Sequence, residues 1–401
     1  MSVGLPKEDK VSCTMRHIFI VLLSMLLVSA CGGPSSSKLL PIKSGDKWGY
    51  IDETGRLIVV PQFEWVEDFS EGLAAVRLNG KWGYIDATGR IVIEPQFDNI
   101  FYPAVSELNF SEGLALITIR NRWGYIDKTG NMAIPLQFED GQNFSEGFAA
   151  VKIGGRWGYI DKSGAVVIAP QFDDTRNFSN GLAEVQIDGL WGYIDRAGGV
   201  VIKPRYKTIV GFELGLGTFQ EGLAKIWVNL RWGYIDKTDK VIIAPQFISA
   251  QGFSGGLAAV EIDNGKWEYV NTTGTVVIPP QFVNARSFAE GLAAVAVSDD
   301  KWGYIDQSGK FVIEPQFQDA DSFSNGRAVI TAGCGHGYID RTGKVIISPR
   351  FLAAFDFSGS KATVALLDEH AWGAKVIGKG CHTEYAFTYI NESGEIIWQP
   401  Q

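Results

Sequence analysis

The side chains able to bind a metal or move a proton are unevenly placed in this chain. Cys334, His336, His370, Cys381 and His382 fall within the final 70 residues, and the only other histidine is His17. Cys334 with His336, and Cys381 with His382, offer soft ligands suited to zinc or copper, but their spacing matches no strong metal motif. The two cysteines have another chemistry open to them. They fall before the same motif in adjacent copies of a repeat, and a disulfide between them would close a loop of 48 residues. In an oxidising compartment such a bond stabilises by roughly 4 kcal/mol on the chain-entropy account. The disulfide is the leading expectation, with free thiols and a metal site as the alternatives.

Carboxylates recur more regularly. Asp52, Asp86, Asp127, Asp161, Asp195, Asp236, Asp306 and Asp340 each stand three residues before a glycine or its substitute, as in "DATG". Paired acids would do general acid and base work. However, Asp at the first and Gly at the fourth place of a type I turn accounts for the pattern without catalysis. The turns lack the dense alternating carboxylates of calcium loops. No glycine-rich phosphate loop and no nucleophile elbow is present. The expectation is a protein that is not an enzyme and carries no cofactor, with an envelope hydrolase of unrecognised site as the outside alternative.

These residues are positioned by a repeat. Motif tyrosines fall at 50, 84, 125, 159, 193, 234, 269, 304, 338 and 389, so ten copies fill the chain from about residue 39 onward. In "LAAVRLNG", Ala74, Val76 and Leu78 match Ala149, Val151 and Ile153 of another copy. The place of Arg77 is filled by Thr118, Lys152, Gln186, Trp227, Glu261, Ala296 or Thr331. Fixed apolar places alternating with free ones predict a strand buried on one face. "KWGYID" is a second strand. "RIVIEPQF" is a third, expected to end at Pro95 because proline cannot donate to a ladder. Each copy is thus a three-stranded meander followed by a loop ending in "FSEG".

The recurring "KWGYIDATGRIVIEPQF" closely resembles the bacterial WG-repeat family, and the resemblance covers nearly all of residues 39–401. It implies an all-β repeat protein and supplies little about role. A unit of about 34 residues cannot bury its aromatic rings alone, so neighbours must cover Trp48, Trp82, Trp123, Trp157, Trp191, Trp232, Trp267 and Trp302. These tryptophans are expected to be structural anchors. "LLPIKSGDKWG" begins the array at a first strand and "IIWQPQ" closes it in a third. Because no unit is split between the ends, an open β-solenoid or superhelix is expected, with a closed propeller-like ring as the alternative. The region 327–401, where His336 replaces Trp and "EYAFTYINESG" loses Trp-Gly, is expected to cap the array.

Ahead of the array, "MRHIFIVLLSMLLVSAC" has the layout of a secretory signal, too short to span a bilayer comfortably. "LVSAC" resembles the bacterial lipoprotein box, which implies lipidation of Cys31, residues 1–30 as signal and Met15 as the true start. Residues 31–38 then form a flexible tether. Gly32 after the cysteine points, by the same resemblance, to the outer membrane, with membrane contact only through the lipid.

Seven-residue insertions occur near "FYPAVSELN" and "VGFELGLGT", placing Phe101, Tyr102 and Phe212 in lengthened loops. If three units made one superhelical turn, both loops would project from one side as partner contacts. Trp65, Tyr206 and Trp227 stand outside the repeated core places and are candidate stacking platforms for glycan or peptidoglycan. The net charge of −9 and pI near 5.1, with no basic run in the array, exclude a nucleic-acid binder. The expected function is an envelope-anchored protein-interaction scaffold; the alternative is a glycan binder.

Overall fold

The computed structural model describes residues 39–98, 108–207, 217–366 and 387–398. Cys31, Phe101, Tyr102, Phe212, His370, Cys381 and His382 lie outside the described residues. The described chain forms nine antiparallel sheets in sequence order. The last has six strands and contains the ninth and tenth motif copies, with Tyr338 and Tyr389 on strands Gly335–Asp340 and Phe387–Asn391.

The second sheet represents most of them. Its strands, in order across the sheet, are Trp65–Val66, Leu73–Leu78, Lys81–Asp86 and Ile91–Phe97. The two-residue strand was not expected from the three-strand pattern. It is too short to show a period of two, and only its pairing with Val76 and Arg77 identifies it. Leu73, Ala74, Ala75 and Val76 are all buried, so the first strand is covered on both faces rather than one. Sheets packed on each side explain this: both faces of a unit meet a neighbour.

Pro95 does not end the third strand. The pairing Tyr84 with Ile93 is followed by Trp82 with Phe97, so Glu94, Pro95 and Gln96 bulge out of register and the strand resumes at Phe97. Proline is tolerated there because a bulged residue owes the ladder no donor. The bulge also explains the Trp-Gly dipeptide. A Cβ on Gly83 would lie 2.5 Å from Ile93 O and 2.6 Å from Pro95 N, so in this unit the second strand has no room for a side chain where the bulge crosses it.

The units close into a propeller ring, which corrects the expectation of an open solenoid. At each joint a motif tyrosine donates its hydroxyl to a backbone carbonyl of the next unit. Tyr125 bonds Gln142 O at 2.7 Å, Tyr234 bonds Gln251 O at 2.6 Å and Tyr304 bonds Asp321 O at 2.8 Å. Wherever a unit has a turn glycine, as all but the sixth do, that glycine also rests against the preceding unit. A methyl on Gly130 would be 3.2 Å from Ile93 Cγ2, and one on Gly309 would be 3.0 Å from Ile278 Cγ2.

The two ends of the array repeat these contacts with each other. Tyr389 donates to Pro41 O at 3.0 Å, a methyl on Gly55 would meet Ile397, 2.0 Å from its backbone oxygen and 2.8 Å from Cγ2, and Lys361 Nζ is 3.5 Å from Glu53 Oε1. No unit is split between the termini because none needs to be. The face-to-face packing that joins neighbours also joins the ends. The tenth copy is therefore not a cap lacking a neighbour: its neighbour is the first. No superhelical turn exists to bring the two insertions to one side.

Candidate functional site

The residues that recur are used up by the fold. Asp236 Oδ1 accepts from Thr238 N at 2.8 Å, Thr238 Oγ1 at 2.6 Å and Lys240 N at 3.1 Å. The same fork forms at Asp52, Asp86, Asp127, Asp306 and Asp340. Hydrogen bonds from the turn's own hydroxyl hold these carboxyls below the usual range, Asp52 at about 2. Such an acid is a turn former whose lone pairs are already engaged.

"FSEG" is likewise an annular latch. Phe144 packs on Tyr125 with centroids 5.0 Å apart, Ser145 Oγ donates to Phe178 O at 2.8 Å, and Glu146 Oε2 accepts from Gly181 N at 2.9 Å. Lys162 and Arg196, which follow the motif Asp, reach back to Glu112 and Glu146 at 2.9 and 2.8 Å. Glu71 and Lys128 pair at 3.0 Å in the same way.

One set of places that change between copies forms a row across the sheets. Arg77 pairs with Trp82, Lys152 with Trp157, Gln186 with Trp191, Trp227 with Trp232, Glu261 with Trp267 and Thr331 with His336. The free place of the first strand thus lies beside the motif ring. The short strand adds Trp65, Asp140, Asp174, Ser249, Asn284 and Asp319 to the same row. Cations cover several rings: Lys225 Nζ is 4.7 Å from the Trp232 centroid and Arg286 is 5.2 Å from that of Trp302. This rim has a buried aromatic floor and, apart from the buried Thr118, Ala296 and Thr331, a varied polar surface, and it is the candidate interaction surface.

The motif tryptophans from Trp82 to Trp302 are buried, while Trp48 is half-buried. Tyr206 does not lie outside the core. It is 3% exposed and stands opposite Trp191, in the place other copies give to phenylalanine; its unusual neighbours "KPRY" disguised the alignment. Trp227 packs on Trp232 at 5.1 Å between centroids. Trp65 alone of the three is exposed, at 43%, leaning on Trp48 at 5.5 Å and donating to Glu67 Oε1 at 2.7 Å. Burial beside that indole raises Glu67 to about 7.

Two charged groups went unnoticed in the sequence. Glu184 is buried where four other copies have alanine (Ala75, Ala150, Ala259 and Ala294), with Tyr193 donating to its Oε1 at 2.7 Å and Arg176 Nε 3.1 Å from its Oε2. Burial pushes its carboxyl up. Arg286 bridges Asp319 at 3.1 Å and Asp321 at 2.6 Å. The change of "LAAV" to "LAEV" was the available signal for the first. Arg286 had none, because its partners lie 33 and 35 positions away.

Glu268, at the motif-glycine place of the seventh copy, is buried, and burial raises its pKa. The adjacent bulge there contains Pro279 and Pro280, the latter exposed where other copies are half-buried. Cys334 is an exposed thiol in the hairpin turn after strand Arg327–Ala332, not within a strand. Its expected disulfide partner is outside the described residues. His336 Nδ1 meets Thr331 Oγ1 at 3.1 Å. No group of three or more potential metal ligands occurs among the described residues.

Among known proteins, a family described as "WG containing repeat" matches residues 48–82, 82–123, 123–157, 157–191, 191–226, 232–267, 269–302, 302–332 and 337–366. No curated protein matches the chain. Among solved structures, a eukaryotic initiation factor is similar at 12% identity, covering 90% of this chain and 95% of that one, with a TM-score of 0.47. BamB from Moraxella catarrhalis is similar at 13% identity, covering 78% and 97%, with a TM-score of 0.33. A computationally designed protein, Ika8, is similar at 11% identity, covering 77% and 98%, with a TM-score of 0.36.

Proposed function

Starting from the fact that this chain belongs to the WG containing repeat family, we propose that it is a non-enzymatic interaction scaffold, exported and held at the cell envelope through a lipidated Cys31. One observation carries the scaffold reading. The recurring turn acids and motif tyrosines are engaged in turns and joints, whereas one row of places that differ between copies lies beside the motif rings and forms a rim. Function is expected where residues are free to differ on a rigid frame. The outer membrane is the favoured site of anchoring, and the partner is an envelope protein.

The scaffold reading is tested by photo-crosslinking in cells. A photoreactive residue at Gln186 or Asp174, on the rim, should trap a discrete partner. The same residue at Val276, on a third strand, serves as the comparison. Failure of every rim position to trap a discrete species rejects the scaffold role. Anchoring is tested separately: Cys31→Ser should move the protein from the membrane fraction to the soluble one.

A glycan-binding reading is favoured by the exposure of Trp65 over Trp48. A flat indole with polar neighbours suits the face of a sugar ring. Sedimentation with purified peptidoglycan, lost on Trp65→Ala, would support it; no sedimentation of the parent protein ends it.

A further inference from the structure

The second unit departs from the others on the rim. Where the two-residue strands of other units begin with Asp140, Asp174, Ser249, Asn284 or Asp319, its strand begins with Trp65. Two residues further on, the carbonyl that accepts the preceding unit's tyrosine belongs elsewhere to Gln142, Arg176, Gln251, Arg286 or Asp321. In the second unit it belongs to Glu67.

Where that second place holds arginine, the chain displays a complete arrangement. Arg286 lies 5.2 Å from the Trp302 centroid and reaches Asp319 at 3.1 Å and Asp321 at 2.6 Å. Arg176 lies 5.8 Å from the Trp191 centroid and 3.1 Å from Glu184 Oε2. Each guanidinium spans an indole and a carboxylate. The second unit holds the same indole and acid chemistry at Trp65, and its cations are placed on other groups. Lys43 lies 5.8 Å from the centroid of Trp48, and Arg77 pairs with Glu64 at 3.6 Å. Trp65 is 43% exposed, and its Nε1 donates to Glu67 Oε1 at 2.7 Å, which fixes a carboxylate at the edge of the ring. The groups acting on Glu67 are its own burial, this indole and Asp68, with no cation among them.

We propose that Trp65 and Glu67 form a receptor for one arginine side chain of the partner protein, whose guanidinium stacks on the exposed indole and bonds the carboxylate beside it. The face of an indole is electron-rich and attracts a cation. A planar guanidinium both stacks on a ring and forks to a carboxylate, which a lysine ammonium does not. Acids frame the ring in sequence as well: "EWVED" has Glu64, Glu67 and Asp68 and no basic residue. A sugar hydroxyl is the poorer match, because the indole N–H is already given to Glu67. The inference rests on the reading of the rim as a partner surface. Crosslinking at Gln186 and Asp174 tests that reading in another unit, so the two can fail separately.

The test uses the full chain labelled with fluorotryptophan. The fluorine signal of Trp65 is identified by its loss in Trp65→Ser, which installs the residue that another unit carries there as Ser249. The end-blocked peptide Gly-Gly-Arg-Gly-Gly should shift that signal saturably, with a Kd below about 10 mM. The same peptide with citrulline for arginine keeps the shape without the charge and should bind at least ~5-fold more weakly. Glu67→Gln should weaken the arginine peptide at least ~5-fold as well. That variant is expected to fold, because Gln142 and Gln251 hold the same place in other units. The inference is overturned by an absence of saturation, by equal binding of the arginine and citrulline peptides, or by Glu67→Gln leaving affinity unchanged. A saturable shift with chitotetraose and none with the arginine peptide would overturn it too, and would assign the indole to glycan.

Discussion

Tyr234→Phe removes one oxygen atom from the joint between the sixth and seventh units and nothing else. The hydroxyl donates to Gln251 O at 2.6 Å, the ring is fully buried, and its packing on Phe253, with centroids 4.8 Å apart, survives the substitution. No cavity larger than the missing oxygen forms, so the transfer and void terms of a large core deletion are small. What remains is a carbonyl inside a closed joint without its donor. A net hydrogen bond contributes about 0.5–1.5 kcal/mol, and a buried polar group left unsatisfied costs about 1–3 kcal/mol. A loss of about 1–3 kcal/mol is therefore expected from urea unfolding followed by intrinsic fluorescence, with the slope unchanged because the same surface unfolds. Tyr304→Phe, which loses the bond to Asp321 O at 2.8 Å, should cost a similar amount. If both variants unfold within about 0.3 kcal/mol of the parent, the hydroxyl-to-carbonyl bonds do not hold the joints, and the explanation of the repeated tyrosine is wrong.

Two further perturbations test other parts of the argument. Gly83→Ala puts a methyl 2.5 Å from Ile93 O and 2.6 Å from Pro95 N. Because backbone rather than a flexible side chain must yield, a loss of about 1–3 kcal/mol is expected in the same assay, and a neutral result would refute the bulge-crossing account of Trp-Gly. Glu67→Gln tests the buried acid beside Trp65. Burial raises the folded-state pKa from 4.5 to about 7, so the carboxyl is favourable below pH 4.5 and progressively destabilises the fold as pH rises toward 7. The variant should match the parent near pH 4 and exceed it near pH 8, by at most about 3 kcal/mol. A parallel pair of stability curves would show that Glu67 is not desolvated.

The strands were legible because every copy constrains the others. Aligning "LAAVRLNG" with its counterparts separated Ala74 and Val76 from the free place at Arg77 without any outside sequence. The turn role of Asp52 and the anchoring role of Trp82 could be read in the same way, since both depend on neighbours a few positions off or on a unit-wide need for cover. Ring closure was not legible. It depends on Tyr389 meeting Pro41, 348 positions away, and on a small rotation between units that no local pattern encodes. The short strand at Trp65–Val66 was invisible because two residues show no period. The bulge at Pro95 was misjudged because proline signals a lost donor, which fits either a strand end or a break in register. The charged pairs of Arg286 were hidden for the reason that hid closure: their partners belong to the next unit.

Closure is the claim on which the joints and the rim both rest, and zero-length chemistry tests it directly. A carbodiimide joins an amine to a carboxylate only when they touch, and Lys361 Nζ lies 3.5 Å from Glu53 Oε1 across the joint of the tenth and first units. Treated at low protein concentration, the chain should yield an isopeptide between Glu53 and Lys361 in material of monomer mobility, alongside the Lys162 to Glu112 link expected at any ordinary joint from their 2.9 Å contact. Recovery of the Lys162 link without the Lys361 link, or of the latter only in dimers, would mean that the array is open.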